Sequence, residues 1–85
     1  MRFDVTVNVR QREGIADPEG ATIERALPAL GFEAVSDVRV GKQIRLVIDA
    51  RDAAAARAQA ETMVETFLTN PVIEDADIEV LTGDA

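Results

Sequence analysis

The segment of residues 37 to 49 restricts the possible folds more than any other part of the chain. Apolar side chains alternate with polar ones on both sides of Gly41-Lys42, and these apolar residues are Val38, Val40, Ile44, Leu46 and Ile48. Because successive side chains point to opposite faces of a strand, a two-residue hairpin loop at Gly41-Lys42 would split the apolar set between two faces. One continuous strand would keep the whole set on one face. Side-chain parity therefore predicts a single long strand that bends at Gly41, with a loop of odd length as the remaining alternative.

A predicted helix lies on each side of this strand. The first begins at Asp17-Pro18, because Asp is a good N-cap and Pro suits the first helical position. Its apolar stripe has helical spacing and consists of Ile23, Ala26, Leu27 and Leu30. Pro28 is expected to kink or tighten the last turn before a stop at Gly31. The second helix follows Asp52 and ends at Asn70-Pro71, and its predicted core stripe consists of Ala56, Ala60, Met63, Val64, Phe67 and Leu68.

Two further strands complete the prediction. Residues 2–10 alternate without error, which is typical of a half-buried strand. A short last strand is predicted around Asp77–Leu81, and residues 82–85 are expected to fray. The order β-α-β-α-β predicts one α+β domain over residues 1–85, with the helices packed on one face of the sheet.

Composition excludes several classes of function. The 85 residues carry a formal net charge of −7, which argues against DNA, RNA or an anionic membrane as a partner. The chain has no Cys and no His, so the usual zinc ligands and most nucleophile and acid–base arrangements are missing. No run approaches the roughly 20 apolar residues of a membrane helix. We therefore expect a soluble, cytoplasmic protein with no metal site and no catalytic residues of its own.

Two basic elements are candidates for an anion site. Gly41-Lys42 lacks the rest of a phosphate-binding loop, because Ser36 stands where that loop has Gly and Gln43 follows the Lys. Lys42 is instead interpreted as a protective charge on a strand edge or as a partner contact. Arg10 and Arg12 precede a helix N-terminus, but the acids close to them in sequence favour a solvated loop over an anion site.

Four stretches of the chain resemble the PurS family in their order and spacing. PurS is the small subunit of phosphoribosylformylglycinamidine synthase, and the resemblance covers about residues 3 to 81. The four stretches are "DPEG" (17–20), "ALPALGF" (26–32), "VSDVRVGKQI" (35–44) and "NPVIED" (70–75).

The resemblance implies a non-catalytic role in purine biosynthesis. The complex makes formylglycinamidine ribonucleotide from formylglycinamide ribonucleotide, ATP and glutamine. A PurQ glutaminase releases ammonia, and a PurL synthetase uses ATP and Mg²⁺, so no cofactor is expected on this subunit. PurS-like subunits hold the two enzymes together and help ammonia cross between their sites. Candidates for these contacts are Arg39, Gly41, Lys42 and Asn70, which lie within the resembling stretches.

The long strand also predicts a homo-oligomer. Thirteen residues span roughly 43 Å, whereas a globule of this size has a radius of gyration of about 12 Å. Such a strand would leave each chain with two ferredoxin-like halves, each completed by a second copy in a two-fold homodimer. Pairs of dimers could stack into a homotetramer.

Two other classes remain as alternatives. An acylphosphatase-like enzyme would need a phosphate-cradling loop after the first strand, where "QREGIADPEG" has the Arg but lacks the glycine-rich cradle. An ACT-like domain would sense a small molecule at a glycine-bearing turn. Acyl-phosphate hydrolysis would support the first, and thermal stabilisation by a ligand the second.

Overall fold

A three-stranded antiparallel sheet and two α-helices form the fold in the computed structural model, which describes residues 1–82. The elements are β1 Arg2–Gln11, α1 Pro18–Ala26, β2 Lys42–Asp49, α2 Ala53–Met63 and β3 Glu74–Thr82. The strand order is β2-β1-β3, so β1 is central. The predicted α+β class and the order β-α-β-α-β are confirmed. Thr82 belongs to β3, and the remainder of the stretch expected to fray, 83–85, lies outside the described residues.

The apolar face of β1 is the centre of the core. Phe3, Val5, Val7 and Val9 alternate along it and are at most 3% exposed. Val7 lies opposite Ile44 of β2 and Ile78 of β3, so the inward faces of the three strands form one apolar surface. Helix α2 packs on this surface along β3 and β1 through Ala56 and Ala60, which are fully buried. Small side chains at these positions allow the helix to approach the sheet closely.

The middle strand is shorter than predicted. Strand β2 begins at Lys42, which lies opposite Val9 near the end of β1, and residues 36 to 41 have no strand partner in the described part of the chain. No hairpin forms at Gly41-Lys42 in the described structure either, because the preceding residues do not pair with β2. The parity argument is right for β2, where Ile44, Leu46 and Ile48 all face the core. The predicted strand over 37–49 was too long because a strand needs a neighbour, and the described residues supply none for residues 37–41.

Helix α1 does not pack on the sheet, contrary to the prediction that both helices cover one face. Among the helices and strands of residues 1–82, its main contacts are with the short 3₁₀ turn Pro28–Leu30 that follows it. The predicted stripe is therefore uncovered, with Ile23 40% and Leu30 70% exposed. The Cα radius of gyration is 16.6 Å, against about 12 Å for a compact chain of this length. Residues 17 to 41 thus project from the sheet, and we call them the arm.

The end of α2 differs from a regular helix. After Met63 the chain makes a π-helical turn, Val64–Leu68, and leaves the helix at Thr69, just before Asn70-Pro71 as predicted. Val64 and Leu68 pack against the core, but Phe67 is 85% exposed. The assignment of Phe67 to the core was wrong, because the wider turn rotates the side chains that follow it away from ideal α-helical positions.

Candidate partner-binding site

One end of the sheet gathers most of the residues singled out in the sequence. Strand β1 ends there, β2 and β3 begin there, and α1 starts nearby. A cleft of about 480 Å³ opens at this end, and Arg39 and Gly41 line it together with residues of β1 and the start of β3. Gly41 and Lys42 line an adjoining depression with Glu74. The structure therefore places Arg39, Gly41 and Lys42 side by side.

Asn70 joins this end through the turn that precedes β3. Its backbone N–H donates to Glu74 Oε1 over 2.7 Å, and its Oδ1 accepts from the Val72 N–H over 3.1 Å. Its carbonyl accepts from Ile73 and Glu74. The Ile73 carbonyl in turn accepts from the Arg12 N–H over 2.8 Å, which fixes the turn to the end of β1. The Asn70 side chain thus stabilises the turn by a hydrogen bond and is also exposed to solvent.

The arginines of this region are matched by acids. Arg10 pairs with Asp77 at 2.6 Å and Arg12 with Asp75 at 3.1 Å. Arg39 lies 3.7 Å from Asp37, and its guanidinium donates to the Ile15 carbonyl. These contacts favour the paired, solvated loop over an anion site at Arg10 and Arg12. The exposed Lys42 has no acid within ion-pair distance in residues 1–82, so no ion pair neutralises its charge there.

Two glycines mark close backbone contacts around the cleft. A Cβ at Gly41 would lie 2.6 Å from the Val9 carbonyl oxygen, so no side chain fits where the arm meets β1. A Cβ at Gly20 would lie 2.5 Å from the Val38 carbonyl oxygen, so α1 touches the extended segment of the arm. The sequence singled out Gly41 but not Gly20, although a Gly in the first turn of a helix is a signal for such a contact.

Asp17 has two roles, of which the sequence showed only one. It caps α1 as predicted, because its Oδ1 accepts from the Gly20 N–H over 3.0 Å. Its Oδ2 also accepts from the Val40 N–H over 2.8 Å, a contact across 23 residues. These hydrogen bonds from Gly20 and Val40 lower the pKa of the Asp17 carboxyl below its ordinary value of 3.8. The carboxylate thus joins the start of α1 to the segment that holds Arg39 and Gly41.

The chemistry of this end is that of a recognition surface. It offers an exposed lysine, paired arginines and backbone groups, with an organised turn beside them. In the described part of the chain, no three acidic side chains are placed so that they could hold a metal ion. None of the helices within residues 1–82 is both long and apolar enough to cross a membrane.

Comparison with known proteins assigns the family. The family model "PurS: Phosphoribosylformylglycinamidine (FGAM) synthase" matches residues 4–82. Subunit PurS of phosphoribosylformylglycinamidine synthase from Bacillus subtilis is 37% identical over 78 residues, which cover 92% of this chain and 92% of the relative. The crystal structure of PurS from Methanocaldococcus jannaschii, a subunit of formylglycinamide ribonucleotide amidotransferase, superposes with a TM-score of 0.86 at 35% identity, over 96% of this chain and 99% of that one.

A third match is a chain in the structure of PurLQS from Thermotoga maritima. The TM-score is 0.87 at 32% identity, and the match covers 95% of this chain and 99% of that one. Family model, sequence and fold agree over nearly the full length, and neither the ACT-like nor the acylphosphatase-like alternative is needed. The chain belongs to the PurS family of phosphoribosylformylglycinamidine synthase.

Proposed function

We propose that this chain is the non-catalytic subunit that joins a PurQ glutaminase to a PurL synthetase. The complex converts formylglycinamide ribonucleotide, ATP and glutamine into formylglycinamidine ribonucleotide in purine biosynthesis. The observation that carries the proposal is the match, over 95% of this chain, to a chain of the PurLQS structure from Thermotoga maritima. The elongated shape of the chain, with a projecting arm and a polar cleft, supports a role in assembly.

In this proposal the larger subunits perform all the chemistry. The synthetase binds ATP and Mg²⁺, the glutaminase releases ammonia, and this chain helps ammonia cross between their sites in the cytoplasm. Its own residues support that division, because the sequence has no Cys or His for nucleophilic or general-base work. The arginines near the cleft are already paired with acids, which leaves little to hold a phosphate group.

A second copy of the chain completes the fold in this proposal. Helix α2 lies on β3 and β1, which leaves the inward face of β2 with Ile44 and Leu46 only half covered. The arm in turn carries apolar side chains that its own sheet does not cover, at Ile23, Leu30, Phe32 and Val35. Packing the α1 of a second copy on the open face of β2 would bury both surfaces. A two-fold axis repeats this contact between α1 of one copy and β2 of the other, which gives a homodimer. Two dimers could pair into a tetramer.

The strand edges favour the same arrangement. Strand β2 lies at the edge of the sheet, so its outer backbone groups have no strand partner within residues 1–82. The N–H groups of Val38 and Val40 point towards α1, where the side chains of Glu24 and of the N-cap residue Asp17 accept their hydrogen bonds. Because N–H groups alternate in direction along an extended chain, the N–H of Arg39 points the other way. That edge of the arm can pair with the outer edge of β2 in a second copy. The extended segment would then be a paired strand that continues into β2 of its own chain, as the predicted long strand requires.

Reconstitution tests the proposed function. Purified PurQ, PurL and this chain would be mixed with ATP, glutamine and formylglycinamide ribonucleotide, and separated by size exclusion. We expect all three to co-elute, and we expect omission of this chain to abolish glutamine-dependent synthesis while synthesis from free ammonia persists. An equal loss of both activities on omission would place the chain in the synthetase chemistry and contradict a purely joining role.

The candidate contacts need a separate comparison. Lys42→Ala and Arg39→Ala should weaken assembly or ammonia transfer, because both side chains are exposed beside the cleft. Arg45→Ala is the matched control, since Arg45 is an exposed cation of the same strand that lies opposite Thr6, three residues away from Lys42. All three variants should melt within a few degrees of the parent. Full glutamine-dependent activity in the first two would remove Arg39 and Lys42 from the partner site.

A further inference from the structure

The arm is held together by hydrogen bonds from its extended segment to an acid of α1 and to the N-cap acid of that helix. Asp17 Oδ2 accepts from the Val40 N–H over 2.8 Å, and Glu24 Oε1 accepts from the Val38 N–H over 3.0 Å. The two amides are two residues apart, so they lie on the same edge of the segment. The acids thus take the places that a neighbouring strand would fill. We call these four residues, together with Gly20, the clasp.

Gly20 lets the two backbones touch within the clasp. It is the one buried residue of α1, and a Cβ there would lie 2.5 Å from the Val38 carbonyl oxygen and 2.6 Å from Asp17 Oδ2. The helix and the extended segment are therefore in direct contact, and Asp17 bonds to both. This geometry goes beyond an ordinary helix cap, which satisfies only the N–H groups of its own first turn.

The clasp links the two elements that the proposed homodimer uses. The apolar stripe of α1 would cover the open face of β2 in a second copy, and the free edge at Arg39 would pair with the β2 of that copy. If the two elements moved independently, each would have to be ordered on association, and the loss of conformational freedom would weaken binding. A clasp that fixes one to the other before association removes that cost.

We propose that Asp17 is a positioning residue for self-association, whose carboxylate holds residues 38–41 against α1 so that helix stripe and strand edge dock as one unit. The inference rests on the proposed homodimer. It requires both oxygens of Asp17, one for the Gly20 N–H and one for the Val40 N–H. Hydrogen bonds to an ionised carboxylate are stronger than those to a neutral carbonyl, which suits a contact at a partly exposed position.

Asp17→Asn separates the two roles of the side chain. Asn is as good an N-cap as Asp, so its single carbonyl oxygen keeps the bond from Gly20. Its amide nitrogen is a donor, so it faces the Val40 N–H without accepting from it. Asp17→Ser is a second variant with a good cap and a single oxygen. Asp52→Asn is the matched control, because Asp52 caps α2 through the Ala55 N–H and accepts no backbone N–H from a distant residue in the described structure.

The experiment compares dissociation constants and amide exchange in the full chain. Sedimentation equilibrium should show an about tenfold or larger rise in the dimer dissociation constant for Asp17→Asn and Asp17→Ser, as expected for the loss of a charge-assisted hydrogen bond. Hydrogen exchange of Val38 and Val40 should become faster in both variants, while that of Val7 in the central strand stays slow and shows that the sheet is folded. Asp52→Asn should leave the dimer dissociation constant within about twofold of the parent value.

The outcomes distinguish this proposal from the one on which it rests. A wild-type chain that is monomeric at micromolar concentration would overturn the homodimer, and the positioning role with it. A wild-type dimer that remains equally tight in both Asp17 variants would leave the homodimer standing and overturn the positioning role alone. Unchanged exchange at Val40 in the variants would show that the Asp17 carboxylate does not hold the segment, which also overturns it.

Discussion

Single residues of this chain are constrained by contacts that their local sequence shows only in part. Asp17 and Pro18 predicted the start of α1, and the structure confirms both the cap and the start. The bond from Val40 to the same carboxylate could not be predicted, because it depends on where the chain returns 23 residues later. A helix cap can be predicted from neighbouring residues, whereas a contact between distant residues can be known only once the fold is known.

Gly20→Ala tests the backbone contact at this scale. In an exposed helix the change from Gly to Ala stabilises by up to about 1 kcal/mol. Here the new methyl would lie 2.5 Å from the Val38 carbonyl oxygen, so the segment must move. We expect a net loss of about 1–3 kcal/mol in the free energy of unfolding, measured by urea denaturation. Thr22→Ala in the same helix is the control, and it should raise the free energy of unfolding slightly because Ala has the higher helix propensity. A Gly20→Ala variant that is also stabilised would refute the close contact.

The acid response of the clasp follows from the pKa of Asp17. Hydrogen bonds from Gly20 and Val40 lower this pKa below 3.8, desolvation opposes them, and Arg39 adds a smaller lowering effect. A lowered pKa means that the stabilising contribution is complete above the unfolded value of 3.8 and is lost as the pH falls through the lower folded value. The other acids that line the cleft are Glu13, Asp37 and Asp75, and its bases are Arg10 and Arg39.

We therefore expect the amide chemical shifts of Val40 and Gly20 to stay constant from pH 7 to 5. Both should change below pH 3.8, with one shared midpoint. The measurement is a series of ¹H–¹⁵N NMR spectra. In Asp17→Asn that shared step should disappear. Separate midpoints for the two amides in the parent would contradict a shared carboxylate.

Secondary-structure elements were predictable where one chain supplies everything that the element needs. The alternation of β1 and the helical spacing of Ala56 and Ala60 predicted the buried faces of β1 and α2 correctly, because both elements bury one face within the monomer. The first part of the long strand and the stripe of α1 were not predicted correctly, because the described residues supply no strand partner for residues 37–41 and no sheet face for the stripe. The exposed Phe67 is a third case, since a π-helical turn depends on how the helix end fits the sheet rather than on spacing.

Strand β1 should dominate the stability of the sheet. Val7→Ala removes two methyl groups from a site that is 0% exposed, between Ile44 and Ile78. Transfer and cavity effects together predict a loss of about 2–3 kcal/mol in the free energy of unfolding, measured by urea denaturation. Val47→Ala is the control, because Val47 is 49% exposed on the other face of β2, and it should cost under about 1 kcal/mol. Equal losses in the two variants would mean that the core is not centred on β1.

At the scale of the whole molecule, the chain leaves apolar side chains of its arm exposed. A radius of gyration of 16.6 Å and dimensions of 51 × 32 × 14 Å leave a thin, elongated shape. Parity in the sequence predicted that the middle segment would overhang, and the projecting arm agrees with that idea. The sequence could not show that α1 would leave its own sheet, because an apolar stripe looks the same whether its partner is the same chain or another copy.

Exposed apolar residues of the arm should control self-association. Light scattering at micromolar concentration should report at least a dimer for the parent chain. Leu30→Ser and Ile23→Ser together should give a monomer, because these side chains are 70% and 40% exposed on the arm that we expect a second copy to cover. Their loss should change the chain's own core little, since neither belongs to it.

Val72→Ser supplies the control for that experiment. Val72 is 78% exposed in the turn before β3 and is not part of the arm, so its replacement removes a comparable apolar side chain without changing the apolar stripe of α1. The control should remain associated, and circular dichroism should show the same folded signal for all three proteins. If the arm variant stays dimeric and the Val72 variant becomes monomeric, the turn beside Asn70 would be the self-association surface and the arm would be free to hold a larger subunit.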